Sequence, residues 1–149
     1  MENIFTDEYF MKQALIQART AFEKDEVPVG AVIVFKDQII SRAYNLTETL
    51  NDPTAHAEMQ AITAATNMLG GKYLKECTLY VTVEPCVMCA GATYWSQIGK
   101  IVYGTEDDKR GYNKFHENII HPQTKIVGGV MKQECSDLMT DFFYKIRQA

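Results

Sequence analysis

Long apolar runs are missing from this chain. Asp7, Glu8, Lys12 and Arg19 interrupt every apolar stretch in residues 1–21, so no secretion signal is expected there. No run elsewhere approaches the roughly 20 residues that a membrane-spanning helix needs. The expectation is a cytoplasmic protein with no membrane partner. Positive charge is also short: 15 Lys and Arg stand against 19 Asp and Glu, a net charge of −4. That balance argues against a broad, sequence-blind nucleic-acid surface and leaves room for a local basic patch. Cysteine is scarce, with only Cys77, Cys86, Cys89 and Cys135. In a reducing compartment these do not imply disulfides, and a close pair points to metal or redox chemistry. Repeats, low-complexity segments and linkers are absent as well. A chain of 149 residues, 46% hydrophobic and 23% charged, reads as one domain, residues 1–149, with its own core.

What is present is an alternation of helical and strand periods. Phe10, Ala14, Leu15, Ala18, Ala21 and Phe22 fall on one face of a helix over 6–24, with Thr6 or Asp7 placed to cap it. Val27-Pro28-Val29-Gly30 ends that helix. Residues 31–35 and 39–44 read as a hairpin around a turn at 36–38. Asn51-Asp52-Pro53-Thr54 is a loop leading into a helix over 55–68, which Gly70-Gly71 closes. A β-prone run over 78–83 is broken by Glu84-Pro85, and a helix over 86–96 starts at once. A strand at 100–104, a long loop at 106–122 with room for a short helix, a strand at 125–127 and an amphipathic helix at 131–146 complete the order. Strands alternating with helices after an opening hairpin predict an α/β fold, its mixed sheet covered on both faces. The helices starting near Thr54 and Pro85 are expected to meet at one sheet edge, where α/β folds place their sites.

Two segments carry chemistry. Thr54-Ala55-His56-Ala57-Glu58 and Glu84-Pro85-Cys86-Val87-Met88-Cys89 together spell His-x-Glu … Pro-Cys-x-x-Cys, the signature of zinc deaminases. Cys86 and Cys89, at i and i+3, are expected on one face of a first helical turn. There the helix dipole and a metal both favour thiolate. His56 adds a neutral nitrogen. Three protein ligands leave a fourth tetrahedral position for water, as catalytic rather than structural zinc requires. Glu58, two residues from His56, is placed to carry the proton between that water and a departing amine. A redox pair or a structural zinc site is the competing explanation. A redox pair does not require His-x-Glu upstream, and a structural site needs a fourth ligand from Cys77, Cys135, His116 or His121. Cys77 and Cys135 read as buried small hydrophobes, and His116 and His121 as solvated loop residues.

The chain resembles the bacterial tRNA-specific adenosine deaminase family of the cytidine deaminase-like superfamily over nearly its full length. The segments that carry the likeness are 25–32 (Asp-Glu-Val-Pro-Val-Gly-Ala-Val), 52–58, 79–92, and Glu134–Leu138 with Asp141-Phe142-Phe143. The resemblance implies a three-layer αβα fold on a five-stranded mixed sheet, a homodimer, bound Zn2+, and conversion of a tRNA wobble adenosine to inosine. By motif position it implies that Asn45 hydrogen-bonds the target base. The turn holding Pro28 and Val29, the Ala57 backbone, and Glu84-Pro85 are expected to line the pocket.

Two segments depart from that family. Leu46–Asn51 carries no cation where the family has a basic stretch, and Asp107–Phe115 replaces a run of small residues. Asn51–Glu58 and Thr93-Tyr94-Trp95 are similar to bacterial guanine deaminases, so deamination of a free base or nucleoside, guanine or cytosine type, is the alternative. A zinc-stabilised partner subunit without activity is a third, opposed by the intact Glu58. Lys109, Arg110 and Lys114 interleave with Tyr112 and Phe115, and Lys145 and Arg147 follow Phe142, Phe143 and Tyr144. Cations among aromatics suit phosphate contact and base stacking. Lys109, Arg110, Lys114, Phe142 and Phe143 are the RNA-contact candidates, core burial being the other outcome for the two phenylalanines.

Overall fold

The computed structural model describes residues 3–148, and its centre is a five-stranded mixed sheet. The strands are β1 (Gly30–Phe35), β2 (Gln38–Tyr44), β3 (Cys77–Val83), β4 (Lys100–Thr105) and β5 (Lys125–Val127), in the order β2-β1-β3-β4-β5. β1 runs antiparallel to both neighbours, while β3, β4 and β5 are mutually parallel. The helices are α1 (Asp7–Glu23), α2 (Thr47–Leu50), α3 (Ala57–Leu69), α4 (Val87–Ser96), α5 (Tyr112–Phe115) and α6 (Lys132–Gln148). Among the described residues, no helix is long and apolar enough to cross a membrane.

The strand period sorts the core into two layers. Ala31, Ile33, Leu79, Val81 and Ile101 point to the side covered by Ala57, Ala61 and Ala65 of α3. Their sequence neighbours Val32, Val34, Tyr80 and Val102 point to the other side. There they meet Phe10, Met11, Ala14 and Leu15 of α1, and Cys135 of α6. The result is the three-layer αβα arrangement expected from the sequence. α1 lies unusually close to β1. A Cβ on Gly30 would come within 2.1 Å of the Ala14 carbonyl oxygen and 2.4 Å of the Ala18 nitrogen, so only glycine lets this helix sit here.

Strand directions decide where the site forms. Because β2 and β3 both run against β1, β2, β3 and β4 end at one edge, where β1 begins. α3 follows β2 from that edge, and α4 follows β3.

Three differences from the sequence expectation bear on the site. α2 was not foreseen, and it forms because a distant side chain holds it, as described below. α3 begins at Ala57 and α4 at Val87, each one or two residues later than expected. His56 and Cys86 therefore have extended backbone, at φ −70°, ψ 154° and φ −72°, ψ 174°. Cys86 stands just before its helix rather than inside the first turn. The long loop after β4 contains α5 and one 3-10 turn, Glu117–Ile119.

Candidate active site

Local hydrogen bonds fix the segment that presents His56. Asp52 Oδ1 accepts from the Thr54 N–H at 2.8 Å and from its hydroxyl at 2.7 Å. The Leu46 N–H donates to the Ala55 carbonyl at 3.0 Å. Gln60, one turn into α3, donates its amide to the carbonyls of Tyr44 at 2.9 Å and Ala55 at 3.1 Å. These contacts tie the end of β2 to the start of α3 and aim the His56 ring at α4. His56 Nδ1 lies 3.6 Å from Cys86 Sγ and 3.5 Å from Cys89 Sγ, and the three ligand atoms all fall within 4.8 Å of one another.

These spacings fit zinc. Bonds of about 2.3 Å to sulfur and about 2.05 Å to nitrogen, opened at a tetrahedral angle, put the two donor atoms about 3.6 Å apart. Two sulfurs and one imidazole are a zinc donor set. Protonation in the metal-free pocket already leans that way. A hydrogen bond from Cys89, opposed by burial and helped by His56, draws the Cys86 thiol down to about 4. That same hydrogen bond, with burial, pushes Cys89 up, and the bond to Cys86 raises His56. Cys86 thus already favours the thiolate, while Cys89 must give up its proton when a metal enters.

Glu58 is 3% exposed, in the first turn of α3. Burial is the main force on its carboxyl and pushes it up to about 7, the Cys86 thiolate adding to the shift. A carboxyl that half-ionises near neutrality can both take and return a proton.

A cavity of about 690 Å3 opens above these groups. Its floor is His56, Ala57, Glu58 and Cys86, and Val27, Val29, Asn45 and Thr47 form one wall. The opposite wall is residues 105–110, including Lys109 and Arg110, and α6 contributes Ser136, Met139, Thr140, Phe143, Ile146 and Arg147. Asn45 Oδ1 is buried with no hydrogen-bond partner among the described residues, while its Nδ2 donates to the Thr47 hydroxyl at 3.3 Å. The wall therefore keeps an unused acceptor.

Several expected residues sit elsewhere. Pro28 and Pro85 are buried behind the wall rather than in it; the Pro85 carbonyl instead accepts from the Tyr112 N–H at 2.9 Å. Lys114 borders a smaller neighbouring hollow with Glu106, Asp107 and Asp108. Phe142 is 2% exposed and packs edge-on against Phe22 of α1, ring centres 5.9 Å apart, so it is core and closed to RNA. Phe143, 42% exposed, faces the cavity. Lys145 pairs with Asp25 at 3.0 Å.

Sequence reasoning missed two features. The α6 stripe at 136, 139, 140, 143, 146 and 147 was legible as one helical face. The role of Glu26 was not. Fully buried, its carboxylate accepts from the N–H groups of Glu48 at 3.0 Å and Thr49 at 2.7 Å, and from the Thr49 hydroxyl at 2.6 Å. It holds α2, and with it the Asn45–Thr47 wall.

Comparison with known proteins fits this geometry. The family model for the cytidine and deoxycytidylate deaminase zinc-binding region matches residues 5–105. The chain is 47% identical over 145 residues to a tRNA-specific adenosine deaminase of Aquifex aeolicus, covering 94% of this chain and 95% of that one. Among solved structures, one from work on A-to-I editing by tRNA:A34 deaminases at the wobble position of transfer RNA superposes with a TM-score of 0.81 at 39% identity. It covers 87% of this chain and 98% of its own. A guanine deaminase from Bacillus subtilis matches less of the fold, with a TM-score of 0.65 at 42% identity over 68% of this chain and 65% of that one. The zinc-binding motif, its His–Cys–Cys geometry and likeness over nearly the whole length agree, and the chain belongs to the tRNA-specific adenosine deaminases of the cytidine deaminase-like superfamily.

Proposed function

We propose that this protein converts the wobble adenosine of a tRNA anticodon to inosine, releasing ammonia. The observation that carries the reading is the lining of the cavity. The same cavity that holds His56, Glu58 and Cys86 is also lined by three cations, Lys109, Arg110 and Arg147, which a free neutral base does not need. Such cations suit the phosphates that flank a nucleotide in a chain. An unpaired loop nucleotide can enter without opening a duplex.

His56, Cys86 and Cys89 would hold zinc, which would supply a Lewis acid able to make water nucleophilic at neutral pH. The chain's own residues do the rest. Asn45 and the Ala57 backbone, with Val29 beneath, orient the adenine so that C6 faces the floor. Glu58 takes a proton from the attacking water, delivers it to the ring nitrogen, and serves again as the amine leaves. Water adds across C6, ammonia departs, and the base keeps oxygen where nitrogen stood. Burial keeps bulk water from competing for the Glu58 proton.

This reading places the work in the cytoplasm, where free thiols persist. It also takes the protein to be a homodimer. Val87, Tyr94 and Trp95 lie on α4, 42%, 39% and 79% exposed, an apolar display that pairing of two copies would cover.

The deciding experiment is ammonia release from a panel of anticodon stem-loop RNA, guanine, cytosine, cytidine and adenosine. Turnover of the RNA, falling steeply with salt, is the expected result. Turnover of guanine alone, with the RNA untouched, would give the site to the guanine deaminase reading.

A further inference from the structure

Glu84 was expected to line the pocket and does so, but its carboxylate also engages the neighbouring loop. It is 7% exposed. One oxygen accepts from the Asp107 N–H at 3.1 Å and the other from the Asn113 N–H at 3.1 Å. The two oxygens therefore grip both ends of the loop that forms the basic wall. Gly111, in the middle of that loop, lies flat against the same carboxyl. A Cβ there would come within 2.4 Å of the carboxyl carbon and of both oxygens.

The flanking residues strengthen the dock. Glu84 donates its own N–H to the Thr105 carbonyl at 2.8 Å, and the Pro85 carbonyl takes the Tyr112 N–H. Cys86 pairs with Gly111 across an isolated bridge. Within the loop, Asp107 Oδ1 accepts from the N–H groups of Lys109 at 3.1 Å and Arg110 at 3.0 Å. The loop backbone is thus held at many points. The Lys109 and Arg110 side chains form no ion pair among the described residues, and both face the cavity.

We propose that Glu84 is a positioning residue: its buried carboxylate docks the 107–113 loop onto the Glu84-Pro85-Cys86 segment and so sets where Lys109 and Arg110 meet the RNA backbone. The tripeptide that supplies a metal ligand thereby also fixes the substrate wall, keeping reacting centre and phosphate contacts in one register. Glu84 lines the cavity, and one N–H on each of its oxygens ties that lining to the loop. The inference rests on the RNA-deaminase reading.

The test uses the zinc-loaded full-length protein and the variants Glu84→Gln, Glu84→Ala and Gly111→Ala, each also combined with Lys109→Ala/Arg110→Ala. Zinc content, kcat and KM on anticodon stem-loop RNA across salt, and amide hydrogen exchange are measured. Glu84→Ala and Gly111→Ala are expected to raise KM about tenfold and flatten the salt slope by about 2, one for each displaced cation. Zinc content stays whole. Adding Lys109→Ala/Arg110→Ala to either then costs little more, because the cations are already out of place. Glu84→Gln, which keeps one acceptor, falls between. Exchange speeds up at Asp107 and Asn113 and not in α3. A fall in kcat with KM and salt slope unchanged would overturn the proposal, as would full additivity of the loop and cation variants. If the wild-type protein leaves stem-loop RNA unconverted, the functional reading fails instead, and the exchange data alone then judge the dock.

Discussion

Glu26 and Glu58 are two carboxylates almost closed to solvent, 0% and 3% exposed, with opposite chemistry. Burial pushes the Glu26 carboxyl up, but hydrogen bonds from Thr49 and Glu48 outweigh it and hold the group below its ordinary 4.5. Glu58 has only its own N–H and Cys89 as donors, and its deeper burial carries it up to about 7. What a buried acid does depends both on how deeply it is desolvated and on the N–H and O–H groups aimed at it. Given donors, the acid becomes a fixed anion that clamps a loop. More deeply buried and with fewer donors, it becomes a proton carrier. One holds the cavity wall and the other works on its floor.

The sharpest way to break this contrast is through turnover. Glu58→Gln is expected to lower kcat by roughly 10²–10⁴-fold with zinc content intact. Glu26→Gln should act mainly on KM and stability, through the Asn45–Thr47 wall. Equal losses of kcat in the two variants, measured by ammonia release, would erase the distinction.

Stability sharpens it next. Glu26→Ala strands two backbone donors and a hydroxyl, and about 2–3 kcal/mol of unfolding free energy should go with them in urea titrations. Glu58→Gln, which removes a buried group that prefers to be neutral, should leave the metal-free protein as stable or more so. A metal-free Glu58→Gln protein weakened as much as Glu26→Ala would mean that Glu58 is also a clamp.

The pH dependence is the subtlest arm. Glu26, depressed in the folded state, contributes stability that is present above 4.5 and lost as pH falls below it. Glu58, raised, does the reverse. In metal-free protein its contribution is whole below 4.5 and drains away as pH climbs through about 7. Glu58→Gln should therefore flatten the decline between pH 5 and 8 by on the order of 1–2 kcal/mol. The effect is modest because His56 and both cysteines are coupled to the same pocket. Urea melts at several pH values read both slopes, and slopes of the same sign would contradict the assignment.

Neighbouring residues show how far sequence reasoning reaches. Phe142 and Phe143 look alike as RNA-contact candidates in a row of aromatics. One is packed on Phe22 and the other faces the cavity, because successive residues on a helix point about a quarter-turn apart. Which direction was inward depended on where α1 lay. The α2 turn was unreadable for the same kind of reason. Thr47–Leu50 has no side-chain cap of its own, and its holder, Glu26, stands more than twenty positions away.

The sequence by itself determined the order of helices and strands, the two faces of the sheet, and the His56, Glu58, Cys86, Cys89 constellation. All of these rest on short-range spacing, which maps directly onto helix and strand geometry. The sequence also marked Glu58 as the proton carrier, but only the tertiary structure decided what Glu26 and Glu84 do. Each was simply a glutamate beside a motif until folding brought amide groups to it. Partners that lie 22 and 23 residues from Glu26 and 23 and 29 from Glu84 leave no periodic trace in the chain.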